Sequence, residues 1–280
     1  MPEYATPDGF RAAVEARLRA HAGQLAVATY IVRRQAALER LLVRLGGAAP
    51  NRWAIKGGLA LDTRLGPRAR ASLDLDVDHA LGIDEARGDL QRASIASIGD
   101  HFAFALTGQD TLSDAGVALA VRFTFDCTLA GRAFEPLQVD VTIATPQPWD
   151  AVSATRQGLL ASLGLPPVDV LLIPLERQVA EKLHATTRIY RSGGTTRARD
   201  LIDLLLIQKY VSVDGTRLTA AIRNTFERRA THPAPTALPK PPAALAVSFR
   251  RDASAVGLPP SLDEAHRVLA EWLDPLLAQR

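Results

Sequence analysis

The chain has 280 residues, of which 47% are hydrophobic and 22% are charged, and its net charge is only +3. These values are typical of a globular protein of one large or two small domains, and they exclude a histone-like polycation. A single cysteine, Cys127, excludes an intrachain disulfide and favours a reducing compartment such as the cytoplasm. Residues 1–11 lack the pattern of a secretion signal, and no apolar run is long enough for a membrane span, so we expect no membrane association.

The first 173 residues are predicted to mix helices and strands. Apolar residues at helical spacing predict helices over 7–22, 28–45, 59–65 and 84–98. A short apolar run predicts a strand over 53–55, and alternation of apolar and polar residues predicts strands over 72–78, 117–128 and 137–143. Together these elements form a predicted first lobe, residues 1–173.

The remainder of the chain, residues 174–280, is predicted to be a helical lobe that begins at Pro174. Helical periodicity appears over 175–190, 197–210, 215–229, 243–256 and 261–278. A proline-rich stretch over 232–242 interrupts this series. The predicted fold class is therefore α+β, with a mixed sheet in the first lobe and helices in the second.

The predicted strand over 72–78 carries acidic residues on one side. Asp74 and Asp76 are two apart, so they project together and repel each other unless a divalent cation separates them. Mg²⁺ prefers carboxylates together with substrate phosphate oxygens. Asp140, on a later predicted strand, is the only good candidate for a third carboxylate. The alternative is a solvated strand face, which Asp78 on the same side would favour.

A second motif, Lys56-Gly57-Gly58, ends the short strand that precedes the acidic one. Glycines at such a position allow a tight turn and a close approach of the backbone to phosphates. Alone, this pair would indicate only a strand-to-helix turn. A strand, a glycine turn, a short helix and a strand with Asp-x-Asp are together the layout of a polymerase-β-like nucleotidyltransferase, in which two metals serve phosphoryl transfer.

The helical lobe holds a second group of charged residues. Lys182 is one of only four lysines among 33 basic residues, and Asp200 and Asp203 share a helix face three residues apart. Arg197 and Arg199 stand just before them. Lys182 could hold a triphosphate, with Asp203 to orient it. An exposed salt-bridge cluster between two helices is an equally good interpretation.

In combination, the motifs resemble the AbiEii/MenT family of nucleotidyltransferase toxins. The matching segments follow one another in the family's order from about residue 50 to 210. They are Lys56-Gly57-Gly58, Arg70-Ala71-Ser72-Leu73-Asp74-Leu75-Asp76, Val139-Asp140-Val141, Ala180-Glu181-Lys182-Leu183-His184-Ala185 and Arg199-Asp200-Leu201-Ile202-Asp203-Leu204.

The resemblance implies a bilobed toxin from a toxin–antitoxin or phage-defence system. Such enzymes transfer nucleotides from an NTP to the 3′ acceptor end of tRNA and so block translation. The implied partners are the tRNA acceptor stem and a cognate antitoxin. The implied cofactor is Mg²⁺ or Mn²⁺. By residue match, Asp74 and Asp76 would bind metal and Lys182 and Asp203 would complete the active site. Asp140 would be a further catalytic and metal-binding carboxylate. The residues expected to bind the NTP are Lys56, Gly57, Gly58, Arg70, Ser72, Arg199 and Asp200.

The distribution of charge favours a polyanionic partner. Residues 182–251 contain 13 basic and 4 acidic side chains, a net charge of +9, whereas the segments before and after each sum to −3. An RNA stem would use such a surface for phosphate contacts. Two other interpretations remain open, namely a nucleotidyltransferase that modifies a protein or a small molecule, and an inactive binding module of the same fold.

Overall fold

The computed structural model describes residues 6–114, 117–142, 150–188 and 197–278, without the side chains of 114 and 117–119. The chain divides into two compact units. The first contains residues 1–64 and 71–173, and the second contains residues 65–70 and 174–280. Residues 65–70, which the sequence analysis placed in the first lobe, thus belong with the helices that follow residue 173. No helix within the described ranges has the length and apolarity that crossing a membrane requires.

The first unit consists of a seven-stranded mixed sheet with helices packed on it. Its helices are α1 (Pro7–Leu25), α2 (Thr29–Ala48), α3 (Gly57–Leu65) and α4 (Ile83–Ile95). Its strands are β1 (Trp53–Ile55), β2 (Leu75–His79), β3 (Phe102–Asp114), β4 (Val117–Leu129), β5 (Arg132–Thr142), β6 (Val152–Arg156) and β7 (Val168–Leu172). The strand order is β3-β4-β5-β2-β1-β7-β6.

One face of this sheet forms the core and the other carries charge. Helix α2 packs against β3, β5 and β7, and buried side chains that alternate along the strands meet it, such as Phe123, Val139 and Val77. Because successive strand residues point to opposite faces, the residues between these apolar positions face away from α2. Charged residues of β4, β5 and β2 are therefore brought side by side on the second face.

The second unit is a bundle of α5 (Leu175–Thr187), α6 (Ala198–Tyr210), α7 (Gly215–Arg229), α8 (Ala246–Ser254) and α9 (Leu262–Leu277). Helix α6 packs against α5, α8 and α9, and every residue from Leu201 to Ile207 is buried. A helix that is apolar nearly all round is a core helix. The one charged residue in that run, Asp203, is thereby forced into the interior of the bundle.

The predicted α+β class with a mixed sheet is confirmed. The sequence analysis omitted strands β3, β6 and β7, and it began the acidic strand three residues too early, since Asp74 lies just before β2. Its suggestion that Asp78 is solvated is wrong. Only 7% of this residue is exposed, because its carboxylate pairs with Lys56.

Candidate active site

The second face of the sheet gathers three carboxylates and one guanidinium, which we call the acidic sheet face: Asp74, Asp76, Asp140 and Arg122. Strand β2 runs parallel to β5, and the register places Asp76 directly beside Asp140. Strand β5 runs antiparallel to β4, and there Asp140 lies opposite Arg122. Two of the predicted site residues, Asp76 and Asp140, are thus neighbours because of strand register alone.

Gly57 shapes the approach to Asp76. Its φ is +62°, a conformation that side-chain-bearing residues adopt at a cost, and a Cβ built at this position would overlap the Asp76 carboxylate. The Lys56 amide also donates to the Asp76 carbonyl at 2.9 Å. Gly57 and Gly58 open helix α3 and lie at its N-terminus, the end of a helix that favours anions. The glycine turn and the acidic strand are therefore one local structure.

Asp74 and Ser72 lie in the segment that leads into β2. Ser72 is 6% exposed, and its hydroxyl donates to the Asp74 carbonyl at 3.3 Å. Asp74 and Asp76 are both half-buried. A pair of adjacent carboxylates fits Mg²⁺ or Mn²⁺, because Mg²⁺ is commonly held by one or two carboxylates while waters and substrate phosphates supply the remaining ligands.

Asp140 has a different partner. The Arg122 guanidinium donates to both of its carboxylate oxygens at 2.7 Å, a bidentate pair that fixes both groups. This hydrogen bonding raises the pKa of Arg122, and the charges of Asp140, Asp74 and Asp76 contribute to the rise. Within the described ranges, no three His, Cys, Asp or Glu side chains are grouped closely enough to hold a metal ion. The assignment of Asp140 as a metal ligand stays a prediction.

Lys56, predicted to bind the NTP, is 9% exposed and pairs with a carboxylate of its own sheet. Its ammonium lies 3.3 Å from Asp78 Oδ1 and donates to the Thr142 hydroxyl. Any contact with a nucleotide would have to be made from this pair. The role of Lys56 in NTP binding stays a prediction.

The second unit holds what we call the Lys182 cluster: Lys182, Asp203, Asp200, Arg70 and Arg197. Asp203 on α6 has no exposed surface, and the Lys182 ammonium on α5 donates to its Oδ2 at 2.6 Å. Arg70 donates to the same carboxylate from Nε at 2.9 Å and from Nη2 at 2.8 Å. One buried carboxylate thus binds two cations, one of them from the segment 65–70.

Burial and charge oppose each other in this cluster. Burial alone would raise the pKa of Asp203, but the charges of Lys182 and Arg70 and their hydrogen bonds outweigh it, so the pKa is lowered. Burial likewise would lower the pKa of Lys182, yet the charges of Asp203 and Asp200 raise it. At neutral pH both groups are therefore ionised, and Lys182 is a fixed positive charge.

The remaining predicted residues differ in their involvement. Asp200 accepts from Lys182 at 3.2 Å and from Arg197 Nη1 at 2.9 Å, so it belongs to the cluster. The Arg199 side chain is 57% exposed, and its Nε lies 3.7 Å from Asp252 rather than on Asp200 or Asp203. Arg122 was not among the predicted site residues. Its alternation with Val121 and Phe123 would have placed it on the charged face, but nothing in the sequence pairs it with Asp140.

Comparison with known proteins gives this arrangement a context. The model of the family "Nucleotidyl transferase AbiEii toxin, Type IV TA system" matches residues 40–268, which is most of the chain. Its span includes both the acidic sheet face and the Lys182 cluster. A search of curated protein sequences found no match.

Comparison with solved structures gives a related fold for one of the two proteins described next. MenT4, a nucleotidyltransferase toxin from Mycobacterium tuberculosis H37Rv, superposes with a TM-score of 0.61 at 18% identity, covering 95% of this chain and 90% of that one. A structure described as a candidate nucleotidyltransferase from H. pylori gives a TM-score of 0.49 at 16% identity, over 90% of this chain and 96% of that one. At such identities the likeness to MenT4 concerns the fold. With the family match over most of its length, the chain belongs to the AbiEii family of nucleotidyltransferase toxins of type IV toxin–antitoxin systems.

Proposed function

We propose that this toxin transfers a nucleotidyl group from an NTP to the 3′ acceptor end of tRNA and so blocks translation. The observation that carries the transfer chemistry is the contact of Asp76 with the Gly57 turn. It brings a carboxylate to the glycine turn that opens α3, and backbone N–H groups of that turn are proposed to donate hydrogen bonds to phosphate oxygens. The experiments below distinguish an RNA acceptor from a protein or small-molecule acceptor and from an inactive module.

In the proposed reaction, the 3′-hydroxyl oxygen of the RNA attacks the α-phosphorus of the NTP. A new P–O bond forms, the bond between the α-phosphorus and the bridging oxygen breaks, and pyrophosphate leaves. The hydroxyl proton passes to a carboxylate of the acidic sheet face. Asp74 and Asp76 would hold Mg²⁺ or Mn²⁺, which, when bound, neutralises charge on phosphate oxygens.

Lys182 supplies positive charge to the triphosphate in this proposal. The Asp203 carboxylate anchors the Lys182 ammonium, and Arg70 in turn holds both oxygens of that carboxylate. A preorganised cation stabilises the charge that develops on the leaving pyrophosphate without reorganising during the reaction. Ser72, in the segment that leads into β2, and Gly58, at the start of α3, are proposed to line the phosphate site.

The proposal of tRNA as the acceptor is supported by charge. Exposed basic residues occur throughout the second unit and include Arg199, Lys209, Arg217, Arg223, Lys240, Arg250 and Arg251. Such residues suit sequence-independent contacts to the phosphates of a structured RNA. With only 5% aromatic residues, the chain is poorly suited to stacking the bases of a long single strand.

The test is to incubate the protein with each α-labelled NTP in turn and total tRNA, and to separate labelled RNA from labelled protein on a gel. We expect label on tRNA from the wild type and at least a hundredfold less from Asp74→Asn, with an unchanged circular dichroism spectrum. Periodate-oxidised tRNA, which lacks the 3′-hydroxyl, should accept no label. Label on protein instead would favour the protein-modifying alternative, and absence of label with every NTP would contradict the enzyme assignment.

A further inference from the structure

We infer that the acidic sheet face binds a single divalent cation, on Asp74 and Asp76, and that Arg122 takes the place of a second one by neutralising Asp140. This inference rests on the proposed function, since it concerns the metal requirement of the same site. It departs from the three-carboxylate, two-metal arrangement that the sequence analysis expected.

The first argument is the geometry of the Asp140 pair. Arg122 faces Asp140 across the β4–β5 ladder, and each carboxylate oxygen accepts one N–H at 2.7 Å. Bidentate guanidinium–carboxylate pairs are among the strongest charge-assisted hydrogen bonds in proteins. The Asp140 side chain is 12% exposed and that of Arg122 is 31% exposed, so the carboxylate is the more shielded member of the pair. A cation that used Asp140 as a ligand would have to displace the guanidinium or accept repulsion from it.

The second argument is the sum of charges. Three carboxylates and one guanidinium give the acidic sheet face a formal charge of −2, which one divalent cation cancels. A second divalent cation would leave the face at +2 before any nucleotide arrives. The neighbouring pair of Lys56 and Asp78 does not alter this sum, because its charges cancel each other.

The third argument is which aspartates of this face can bind a cation together. Asp74 and Asp76 are half-buried and lie at the start of β2, beside the Gly57 turn, where phosphate oxygens could complete a coordination sphere. In the part of the chain that the structure describes, no set of three possible ligands converges. Asp74 and Asp76 thus fit one ion, whereas Asp140 has both carboxylate oxygens engaged by Arg122.

The inference is tested by counting Mn²⁺ ions on the full chain by electron paramagnetic resonance titration of the free ion, without nucleotide. We expect one ion per chain for the wild type and none for Asp74→Asn or Asp76→Asn. Asp140→Asn should still bind one ion, with a Kd within about threefold of the wild type. Arg122→Met should bind two ions, because it releases Asp140, whereas Arg122→Lys should bind one, because the positive charge remains.

The double variant Arg122→Met/Asp140→Asn is the matched control and should return to one ion, which would locate the second ion on Asp140. Circular dichroism and melting curves would show that each variant is folded. Two ions on the wild type, a Kd more than tenfold weaker in Asp140→Asn, or one ion on Arg122→Met would each overturn the inference. If the wild type transfers nucleotides yet binds two ions, only this inference fails; if it neither transfers nor binds Mn²⁺, the proposed function fails as well.

Discussion

Gly57 is the residue on which the acidic sheet face depends most directly. We expect Gly57→Ala to reduce nucleotidyl transfer at least tenfold, because the new methyl group would displace the Asp76 carboxylate. The positive φ adds about 1–2 kcal/mol of strain. Labelled-NTP transfer and urea unfolding would measure the two effects.

Gly131 offers a matched control for this substitution. Its φ is +71°, but a Cβ built there has no neighbour within 4 Å. Gly131→Ala should therefore carry the backbone strain alone and retain full transfer activity. Equal loss of activity in the two variants would mean that backbone conformation, not the position of Asp76, explains the Gly57 result.

Asp203 and Asp200 form a second instructive comparison. We expect Asp203→Asn to lower the free energy of unfolding by about 3–5 kcal/mol, because it leaves the buried Lys182 ammonium and the partly buried Arg70 guanidinium around a neutral group. Asp200→Asn should cost about 1 kcal/mol, since that side chain is 16% exposed and its cations retain other contacts or solvent. Urea unfolding of both variants decides the point, and similar losses would contradict the assigned role of Asp203 as the anchor.

The limits of sequence-based prediction are clearest for single residues. Asp74, Asp76, Lys182 and Asp203 could be selected because local spacing and family resemblance mark them. The pairing of Asp203 with Arg70 could not be predicted, because the two residues are 133 positions apart and only the folded chain brings them together. Arg70 was therefore predicted to bind the NTP, while the structure engages its guanidinium on a carboxylate.

At the scale of elements, α5 is held to α7 and the loop after it by a group of rings and hydroxyls. His184 on α5 accepts or donates a hydrogen bond at 2.8 Å with the Thr231 hydroxyl, and its ring packs 4.9 Å from Phe226 and 4.6 Å from His232. Thr187 pairs with His232 at 2.9 Å. Because Lys182 is two residues before His184, these contacts also fix the helix that carries the proposed active-site lysine.

This group predicts a dependence of stability on pH. Burial, with the charge of Arg229 adding to it, lowers the pKa of His184 from 6.5 to about 3. Below pH 6.5 His184 becomes protonated in the unfolded chain but stays neutral in the folded chain. This group therefore lowers the free energy of unfolding as pH decreases towards 3. His184 contributes about 1–2 kcal/mol to this loss between pH 7 and pH 5, and urea unfolding of the wild type and of a His184 variant at both pH values would measure that contribution as a difference.

Substitutions of two histidines check this assignment. His184→Gln can still reach the Thr231 hydroxyl but cannot titrate, so its free energy of unfolding should fall by about 1–2 kcal/mol less than that of the wild type between pH 7 and pH 5. His21→Gln, on the partly exposed side of α1, should leave the loss unchanged. An undiminished loss in His184→Gln would show that another group is responsible.

Elements with strict alternation were predicted well, and those without it were missed. The acidic strand and β5 alternate apolar and polar residues because one face meets α2. Strand β3 is at the edge of the sheet, and its second half is largely polar and exposed, so only Phe102, Phe104 and Leu106 indicate a strand. Strand β7 follows Pro166-Pro167, which was interpreted as a break.

At the scale of the whole molecule, the uneven distribution of charge predicts how the proposed binding of tRNA responds to salt. We expect tRNA affinity to fall steeply as salt increases, and the double variant Lys209→Gln/Arg223→Gln to reduce the slope of log affinity against log salt by about 1–2. Both residues are exposed in the second unit. The measurement is a filter-binding titration at several salt concentrations.

The first unit supplies the control for that titration. Arg17 and Arg19 are exposed on α1, and Arg17→Gln/Arg19→Gln makes the same change in net charge. Its slope should match that of the wild type. If both double variants reduce the slope equally, total charge rather than the basic segment governs the interaction.

The segment 65–70 has a consequence for the order in which the protein is assembled on the ribosome. Arg70 is synthesised 133 residues before its partner Asp203, a delay of roughly 10 s at ordinary elongation rates. In the last part of that interval, once residue 173 has been made, the first unit is complete while Asp203, the partner of Arg70, does not yet exist. A chain cut after residue 173 would leave Arg70 behind permanently, and the released helical fragment would have to bury Asp203 with Lys182 as its only close cation from the cluster.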